Sequence, residues 1–308
     1  TADQNAGETE GLAYFHGTIK EGRRWSSAQA FLHPVKGRPN LQVLTHAHAT
    51  GLRFDGRRVS GVSFRRKGRS EYALASREVL LAAGAIGSPQ LLELSGVGQP
   101  RLLQPLGIAV RHELPAVGEN MQDHWQIRCT YRLRDTVTMN QWVGNPLRRY
   151  AMGAWYLIAR RGLMATQTPQ LCAFTRSDPA QALPNLQYHV SPASAERFGG
   201  ALHPWPGLSC GIAAVRPQSI GHCHIRSADP GEHPSILHNF LESEEARRVA
   251  VDAIRLTRQI LAHGELQRFS PEEIQPGPGV KSDEEILAYA RQTVITVFHQ
   301  SGTCRMGD

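Results

Sequence analysis

A run of five apolar residues at positions 79–83 (VLLAA) constrains the fold more than any other feature of the 308-residue chain. It shows no alternation of polar and apolar side chains, which is typical of a strand buried on both faces of a parallel sheet. The glycine-containing segment 84–87 follows, Ser88-Pro89 predicts the start of a helix, and Gly96 predicts its end. Backbone at such a junction can approach a ligand closely, but structural glycines at a packed corner would give the same spacing.

The remainder of the first third predicts antiparallel strands. Residues 52–54 and 59–64 flank Asp55-Gly56, a strong hairpin signal, and a turn leads into a further strand at 72–75. A short apolar segment at 41–44 predicts one more strand. Together these segments indicate an antiparallel meander.

From about residue 127 onward, strand patterns alternate with amphipathic helix patterns. Tyr150 and Trp155 fall on the apolar stripe of one such helix, so we interpret them as core residues. Ser270 and Ser282 each open a capping-box pattern. The predicted fold class is therefore α/β, or more strictly α+β. Strands are predicted at 127–133, 186–190, 208–215 and 223–226, and helices at 145–162, 243–262 and 282–292.

Composition limits the functional classes. A net charge of +7 is typical of proteins that bind nucleic acid. The arginines, however, lie in scattered pairs without interleaved aromatic residues, so we predict no nucleic-acid binding. The longest apolar stretch, residues 79–86, is too short to span a bilayer, which predicts no transmembrane segment. Five widely spaced cysteines are typical of reduced thiols. We therefore expect a cytoplasmic protein, with peripheral attachment to the inner membrane as the alternative.

The residues HQSGTCRMGD at positions 299–308 point to a chemical function. Glycines on both sides of the Thr-Cys-Arg-Met sequence predict a tight loop that holds the ring of His299 at a fixed point. Oxidation of an alcohol needs such a group, because the hydroxyl proton must leave as hydride departs from carbon, and neutral imidazole can accept that proton. His299 is therefore the candidate catalytic base.

Three segments together resemble the glucose–methanol–choline (GMC) oxidoreductases. Residues 77–98 resemble the second signature of that family, residues 114–124 resemble the stretch that follows it, and residues 299–307 resemble its C-terminal catalytic motif. The resemblance implies a partial Rossmann-type FAD domain and a substrate domain with an antiparallel sheet backed by helices.

The same resemblance implies a division of the chain into three segments. Residues 1–124 would form part of the FAD-binding domain and contain the β-meander, and residues 125–290 would form the substrate-binding domain. Residues 291–308 would return to the FAD domain and carry the catalytic loop.

The family resemblance also implies FAD as the cofactor and assigns roles to four residues. Ala83 and Gly84 would lie near the adenosine half of FAD, Ala49 would present its backbone to the adenine, and His299 would be the base above the flavin ring. The implied reaction is oxidation of a primary alcohol of the choline, alkanol or polyethylene-glycol type, as in bacterial alcohol or choline dehydrogenases. A quinone or dye-type molecule would accept the electrons, with oxygen as the alternative acceptor.

The sequence departs from the family pattern in three ways. No Gly-x-Gly-x-x-Gly motif follows a predicted strand, and the segment that carries the family's second active-site residue is absent. Gln300 stands where proline is usual. We therefore expect a fragment that is inactive on its own, and the alternative function is a non-catalytic, flavin-free remnant of the substrate domain.

Two pairs of histidines raise the question of a metal site. His222 and His224, like His46 and His48, are spaced two apart and would share one face of a strand. A zinc site needs a third protein ligand at least, and no matching one is evident from the sequence. The sequence therefore predicts no metal site.

Overall fold

The chain is a mixed α/β protein whose strands are mostly antiparallel, and this confirms the predicted fold class. The computed structural model describes Gly7 and residues 9–197 and 199–307. The strands are β1 (Gly11–Tyr14), β2 (Ile19–Lys20), β3 (Arg23–Arg24), β4 (Ala47–Asp55), β5 (Arg58–Arg66), β6 (Arg69–Leu74), β7 (Val97–Gly98), β8 (His112–Glu113), β9 (Trp125–Arg132), β10 (Leu171–Thr175), β11 (Leu186–Ser191), β12 (Gly207–Ala214), β13 (His222–His224), β14 (Ser235–Leu237), β15 (Glu272–Gln275) and β16 (Ile295–Thr296). The helices are α1 (Gly84–Leu94), α2 (Pro100–Leu103), α3 (Met139–Gly144), α4 (Pro146–Ala159), α5 (Glu244–Leu261), α6 (Gly264–Gln267) and α7 (Asp283–Thr293).

The described residues divide into two compact units that alternate along the chain. The predicted division into FAD-binding and substrate-binding domains stays a prediction. The units differ from it, because residues 9–38 and 291–297 group with the predicted substrate-binding domain and residues 218–240 group with the predicted FAD-binding domain. The first unit is drawn from Thr1–Arg38, His124–Pro217 and Leu241–Val297, and the second from Pro39–Asp123, Gln218–Phe240 and Phe298–Asp308.

The first unit is built on an antiparallel sheet in the order β1-β10-β11-β12-β9-β15, with β16 also paired to β9. Successive residues of a strand point to opposite faces, and Ile127, Cys129 and Tyr131 of β9 are 3% exposed or less. Helix α5 lies against β9 and β12. Its Thr257 hydroxyl is 3.0 Å from the Tyr188 hydroxyl of β11, so polar groups buried beneath the helix are paired.

The capping signals have different outcomes. The Ser282 box is confirmed, because its side chain accepts the Glu285 N–H and Glu285 reaches back to the Ser282 backbone at the start of α7. The capping box predicted at Ser270 is wrong, because the residues after it form β15 and pair with β9. Tertiary pairing overrides the local helix signal at that position.

Helix α4 begins as predicted, with the Asn145 side chain accepting the Arg148 N–H at 3.1 Å. The assignment of Tyr150 and Trp155 to the core is wrong, because they are 71% and 56% exposed. The amphipathic pattern is real, but its apolar stripe is not buried within the described part of the chain.

The second unit contains the predicted meander. Strand β5 pairs with β4 across the turn at Gly56, which confirms the hairpin predicted at Asp55-Gly56, and it also pairs with β6. The segment 41–44 is not a strand in the structure, so that prediction is wrong.

The prediction of a buried parallel strand at residues 79–83 is also wrong. This segment has no strand hydrogen bonding, and Leu80 is 82% exposed. A strand requires a hydrogen-bonding neighbour, and none of the strands in the described ranges pairs with it. Helix α1 then begins at Gly84 rather than after Ser88, which leaves Pro89 inside the helix. No helix in the portion of the chain that the structure describes is both long and apolar enough to cross a membrane.

Candidate catalytic and cofactor site

The loop that carries His299 is anchored to residues 118–123 in the second unit. Gln122 and Ser301 exchange backbone hydrogen bonds of 2.9 Å in both directions. The Gly118 N–H donates to the Thr303 carbonyl at 2.9 Å. Residues 118–123 therefore hold the loop of His299 by backbone hydrogen bonds.

Two glycines are required where these backbones approach each other. Gly302 has φ +90°, and a Cβ atom there would lie 2.3 Å from the Asn120 carbonyl oxygen. Gly118 has φ +80°, and a Cβ atom there would lie 2.4 Å from the Cys223 carbonyl oxygen. Both motif glycines are therefore explained by backbone conformation and by close contact.

Thr303 ties the loop to helix α1. Pro89 has no N–H, so the carbonyl of Ala85 loses the helical hydrogen bond that residue 89 would otherwise donate. The Thr303 hydroxyl donates to that carbonyl at 2.6 Å, and Thr303 is 1% exposed. Thr303 thus supplies the hydrogen-bond donor that the Ala85 carbonyl lacks because residue 89 is proline.

Replacing Thr303 with valine should destabilise the protein by about 1–3 kcal/mol, because the shape of the buried side chain is kept while the carbonyl of half-buried Ala85 loses its donor. The free energy of unfolding in urea measures the effect. Thr166→Val is the matched control, since the Thr166 hydroxyl also donates to a carbonyl but at an exposed site. Equal losses in the two variants would contradict this account of Thr303.

Asp123 holds His299 in position. The His299 N–H donates to Asp123 Oδ1 at 3.1 Å, and Asp123 is 5% exposed. The His299 side chain itself is exposed, as a base that must meet a substrate requires. The preceding residue, Phe298, has φ +63°, which turns the chain sharply into the loop.

Asp123 also contacts a second histidine, and sequence reasoning missed both residues. His238 Nε2 is 3.5 Å from Asp123 Oδ2 and 3.3 Å from Gln300 Nε2. Burial lowers the pKa of His238, with the charge of Asp123 opposing the shift. The signal that could have identified Asp123 is a carboxylate inside a motif segment that also carries a histidine.

The residues predicted to meet FAD lie in the same unit as the loop of His299. Ala83 directly precedes α1, Gly84 is its first residue with φ +77°, and both are exposed. A Cβ atom on Gly84 would meet no atom within 4 Å. The first N–H groups of a helix have no intrahelical partners and favour anionic groups. This open helix start therefore fits a nucleotide cofactor.

Ala49 lies in β4, and it is exposed as well. The register between β4 and β5 shifts between Ala49 and Gly51, which disturbs regular pairing beside the alanine. The Leu52 N–H donates to Ser95 Oγ at 2.8 Å, so β4 is fixed at the C-terminal end of α1, whereas Ala83 and Gly84 lie at the other end. The role of Ala49 at the adenine stays a prediction.

The first unit contains a cavity of about 290 Å³ on the face of its sheet. Gln126 Nε2 lies 2.8 Å from His189 Nδ1 in its wall. Arg128 and Arg197 also line it, and no Asp, Glu, Trp or Tyr is found among the lining residues within the described ranges. Burial lowers the pKa of Arg128. An adjoining cavity of about 240 Å³ shares both arginines and adds Glu196.

Two parts of the chain match known protein families. Residues 1–126 and residues 217–308 match two family models that are both described as GMC oxidoreductase. The oxygen-dependent choline dehydrogenases of Citrobacter koseri and Staphylococcus xylosus are each 38% identical to the chain. The alignments cover 100% of this chain and 55% and 54% of those relatives. The chain therefore spans about half the length of the curated relatives it matches.

Solved structures show the same partial coverage. Pyridoxine 4-oxidase from Mesorbium loti is 27% identical with a TM-score of 0.84, and the match covers 99% of this chain and 56% of that one. A formate oxidase from Aspergillus oryzae, studied for FAD modification, is 24% identical with a TM-score of 0.88, covering 96% of this chain and 56% of that one. The second likeness concerns the fold alone.

Proposed function

Because this chain belongs to the GMC oxidoreductase family, we propose that it contributes the catalytic base and part of the cofactor and substrate surfaces of an FAD-dependent enzyme that oxidises a primary alcohol. The observation that carries the proposal is the anchored loop at residues 299–307, which keeps the His299 ring exposed while Asp123 holds its backbone. FAD is the cofactor that the family supports.

His299 would take the hydroxyl proton of the alcohol. Bound FAD supplies hydride acceptance. The chain's own contribution is to keep the imidazole in place, through the hydrogen bond that the backbone N–H of His299 donates to Asp123 and through the backbone pairing of Ser301 with Gln122. A positioned base of this kind accelerates proton transfer by about 10²–10⁴-fold.

Ala83 and Gly84 would hold the adenosine half of FAD by backbone contacts, and Ala49 would meet the adenine. The exposed start of α1 supports the first assignment, since small side chains leave the backbone accessible there. Electrons would then leave for oxygen, which the names of the choline dehydrogenase relatives favour over a quinone or dye. Reoxidation of the reduced protein by air separates the two kinds of acceptor.

The arginine-lined cavity of the first unit favours a neutral alcohol of the alkanol or polyethylene-glycol type over choline. A quaternary ammonium is typically bound by aromatic rings and carboxylates. Arg128 and Arg197 instead bring two positive charges to the cavity wall, and Glu196 of the adjoining cavity balances only one of them. Like charges in a partly buried site repel more strongly than in water.

The test is the rate at which alcohol reduces the flavin of the full-length natural protein without oxygen. Stopped-flow absorbance measures this rate. We expect the apparent second-order rate constant for a neutral primary alcohol to exceed that for choline by about tenfold or more, equivalent to about 1.4 kcal/mol. Arg128→Gln should narrow this ratio, whereas Arg24→Gln, an equal charge change on exposed β3, should leave it unchanged. Preference for choline would overturn the substrate assignment. A protein without flavin, or one whose flavin no alcohol reduces, would overturn the function.

A further inference from the structure

A second cluster of histidine and carboxylate groups lies in the unit that carries the catalytic loop. Strand β13 places His222 and His224 on one face, two residues apart. The Cys223 N–H donates to the Gly118 carbonyl at 2.7 Å, and this hydrogen bond brings Glu119 beside the histidines. One ligand atom from each of Glu119, His222 and His224 lies within 4.8 Å of the other two. The third ligand that the sequence does not reveal is thus supplied by tertiary structure.

The distances suit a transition-metal ion. Zinc bonds of about 2.0–2.2 Å in a tetrahedral site place neighbouring ligand atoms about 3.3–3.6 Å apart. His224 Nε2 and Glu119 Oε1 are 3.2 Å apart, so they already form one edge of such a site. The rings of His222 and His224 are stacked with their centroids 5.0 Å apart, and a small side-chain adjustment of His222 would complete a third corner.

A buried carboxylate orients the first histidine. Glu93 is 0% exposed, its Oε1 lies 2.6 Å from His224 Nδ1, and its Oε2 accepts the Ile225 N–H at 2.8 Å. If Nδ1 carries the proton that this carboxylate binds, the lone pair of Nε2 points toward Glu119. Metal-binding histidines commonly donate their other ring N–H to a carboxylate in this way.

The carboxylate ligand is oriented as well. Gln99 Nε2 donates to Glu119 Oε1 at 2.7 Å, and Arg101 Nε donates to Gln99 Oε1 at 2.7 Å. The Glu119 side chain is 39% exposed, which leaves the cluster open to solvent for entry of an ion and for a water ligand. The donor set is two imidazoles and one carboxylate, which suits zinc and similar divalent ions rather than calcium or magnesium.

We propose that Glu119, His222 and His224 form a binding site for a divalent transition-metal ion, with zinc favoured, and with Glu93 as the outer carboxylate of His224. The ion would join β13 to the segment 118–123, the same segment that anchors the loop of His299. The site is separate from the proposed chemistry, because none of its three ligands is assigned to alcohol or to FAD.

The experiment uses the full-length protein, freed of metal with a chelator and dialysed, and titrated with ZnCl₂ alone in a calorimeter. We expect one zinc ion per chain with a micromolar or lower Kd, and a higher Tm when zinc is present. His222→Ala and Glu119→Gln should each weaken binding by at least about tenfold. The control is His33→Ala, which removes an exposed histidine from the other unit.

Circular dichroism of each variant without metal checks that it is folded, and His222→Ala is the decisive one because Glu93 and His224 keep their hydrogen bond in it. Zinc binding to the wild type that His222→Ala leaves unchanged would overturn the proposal. The proposal would also be overturned if the wild type bound no more zinc than the two ligand variants do. The cluster would then be a hydrogen-bonded network of Glu93, His224 and Glu119 only. Neither result bears on alcohol oxidation, which is measured separately through flavin reduction.

Discussion

Replacing His299 with alanine is expected to slow reduction of the flavin by alcohol by about 10²–10⁴-fold, the usual contribution of a positioned base. The physical reason is that the hydroxyl proton would have no acceptor while hydride leaves carbon. The backbone N–H that Asp123 accepts is kept in alanine, so the loop should retain its path. Stopped-flow absorbance of the full-length protein under anaerobic conditions gives the rate constant.

The control for this variant is His112→Ala, since His112 is an exposed histidine on β8 of the same unit. Flavin content per chain is measured for both variants, and we expect it to match the wild type. A slow His299→Ala protein with normal flavin content assigns the loss to proton transfer. An unchanged reduction rate would remove His299 from the role of base.

Replacing Gly302 with alanine should both destabilise the protein and misplace His299. Gly302 has φ +90°, which costs a residue with a side chain about 1–2 kcal/mol. The new Cβ atom would lie 2.3 Å from the Asn120 carbonyl oxygen, and relieving that overlap adds about 1–3 kcal/mol. Because His299 is three residues away on the same loop, a shift near 1 Å can lower the rate of flavin reduction by about 10²-fold.

Gly107→Ala is the matched control for Gly302→Ala. Gly107 also has a positive φ, +73°, but a Cβ atom there would meet nothing within 4 Å. The free energy of unfolding of Gly107→Ala should therefore fall only by the cost of the positive φ, and its rate of flavin reduction should stay normal. Urea unfolding and stopped-flow reduction measure the two effects. If both variants lost the same stability and neither lost activity, close packing of the loop against residue 120 would be disproved.

The parts of the fold that short-range signals encode were predictable. The Asp55-Gly56 turn set the hairpin of β4 and β5, and Ser282 with Glu285 set the start of α7, because turn and cap preferences act over a few residues. The family resemblance identified the loop of His299. The roles of His299, Ala49, Ala83 and Gly84 remain predictions that the experiments above address.

The wrong predictions concern segments whose structure depends on residues far away along the chain. The apolar run at 79–83 has the composition of a buried strand, yet Leu80 is exposed and no strand among the described residues pairs with it. Residues 272–275 follow a helix-capping pattern but pair with β9. Tyr150 and Trp155 lie on an apolar stripe whose burial requires a surface that the helix pattern cannot specify.

The sequence by itself determined the fold class, the antiparallel meander, the main helices and the identity of the candidate base, since these depend on residue type and local spacing. Only the tertiary structure decided that Thr303 would satisfy the Ala85 carbonyl, that Asp123 would hold the backbone of His299, and that Glu119 would stand beside His222 and His224. These contacts join residues that are far apart along the chain. Local sequence preferences act over a few residues, whereas hydrogen bonds between distant segments depend on how the whole chain folds.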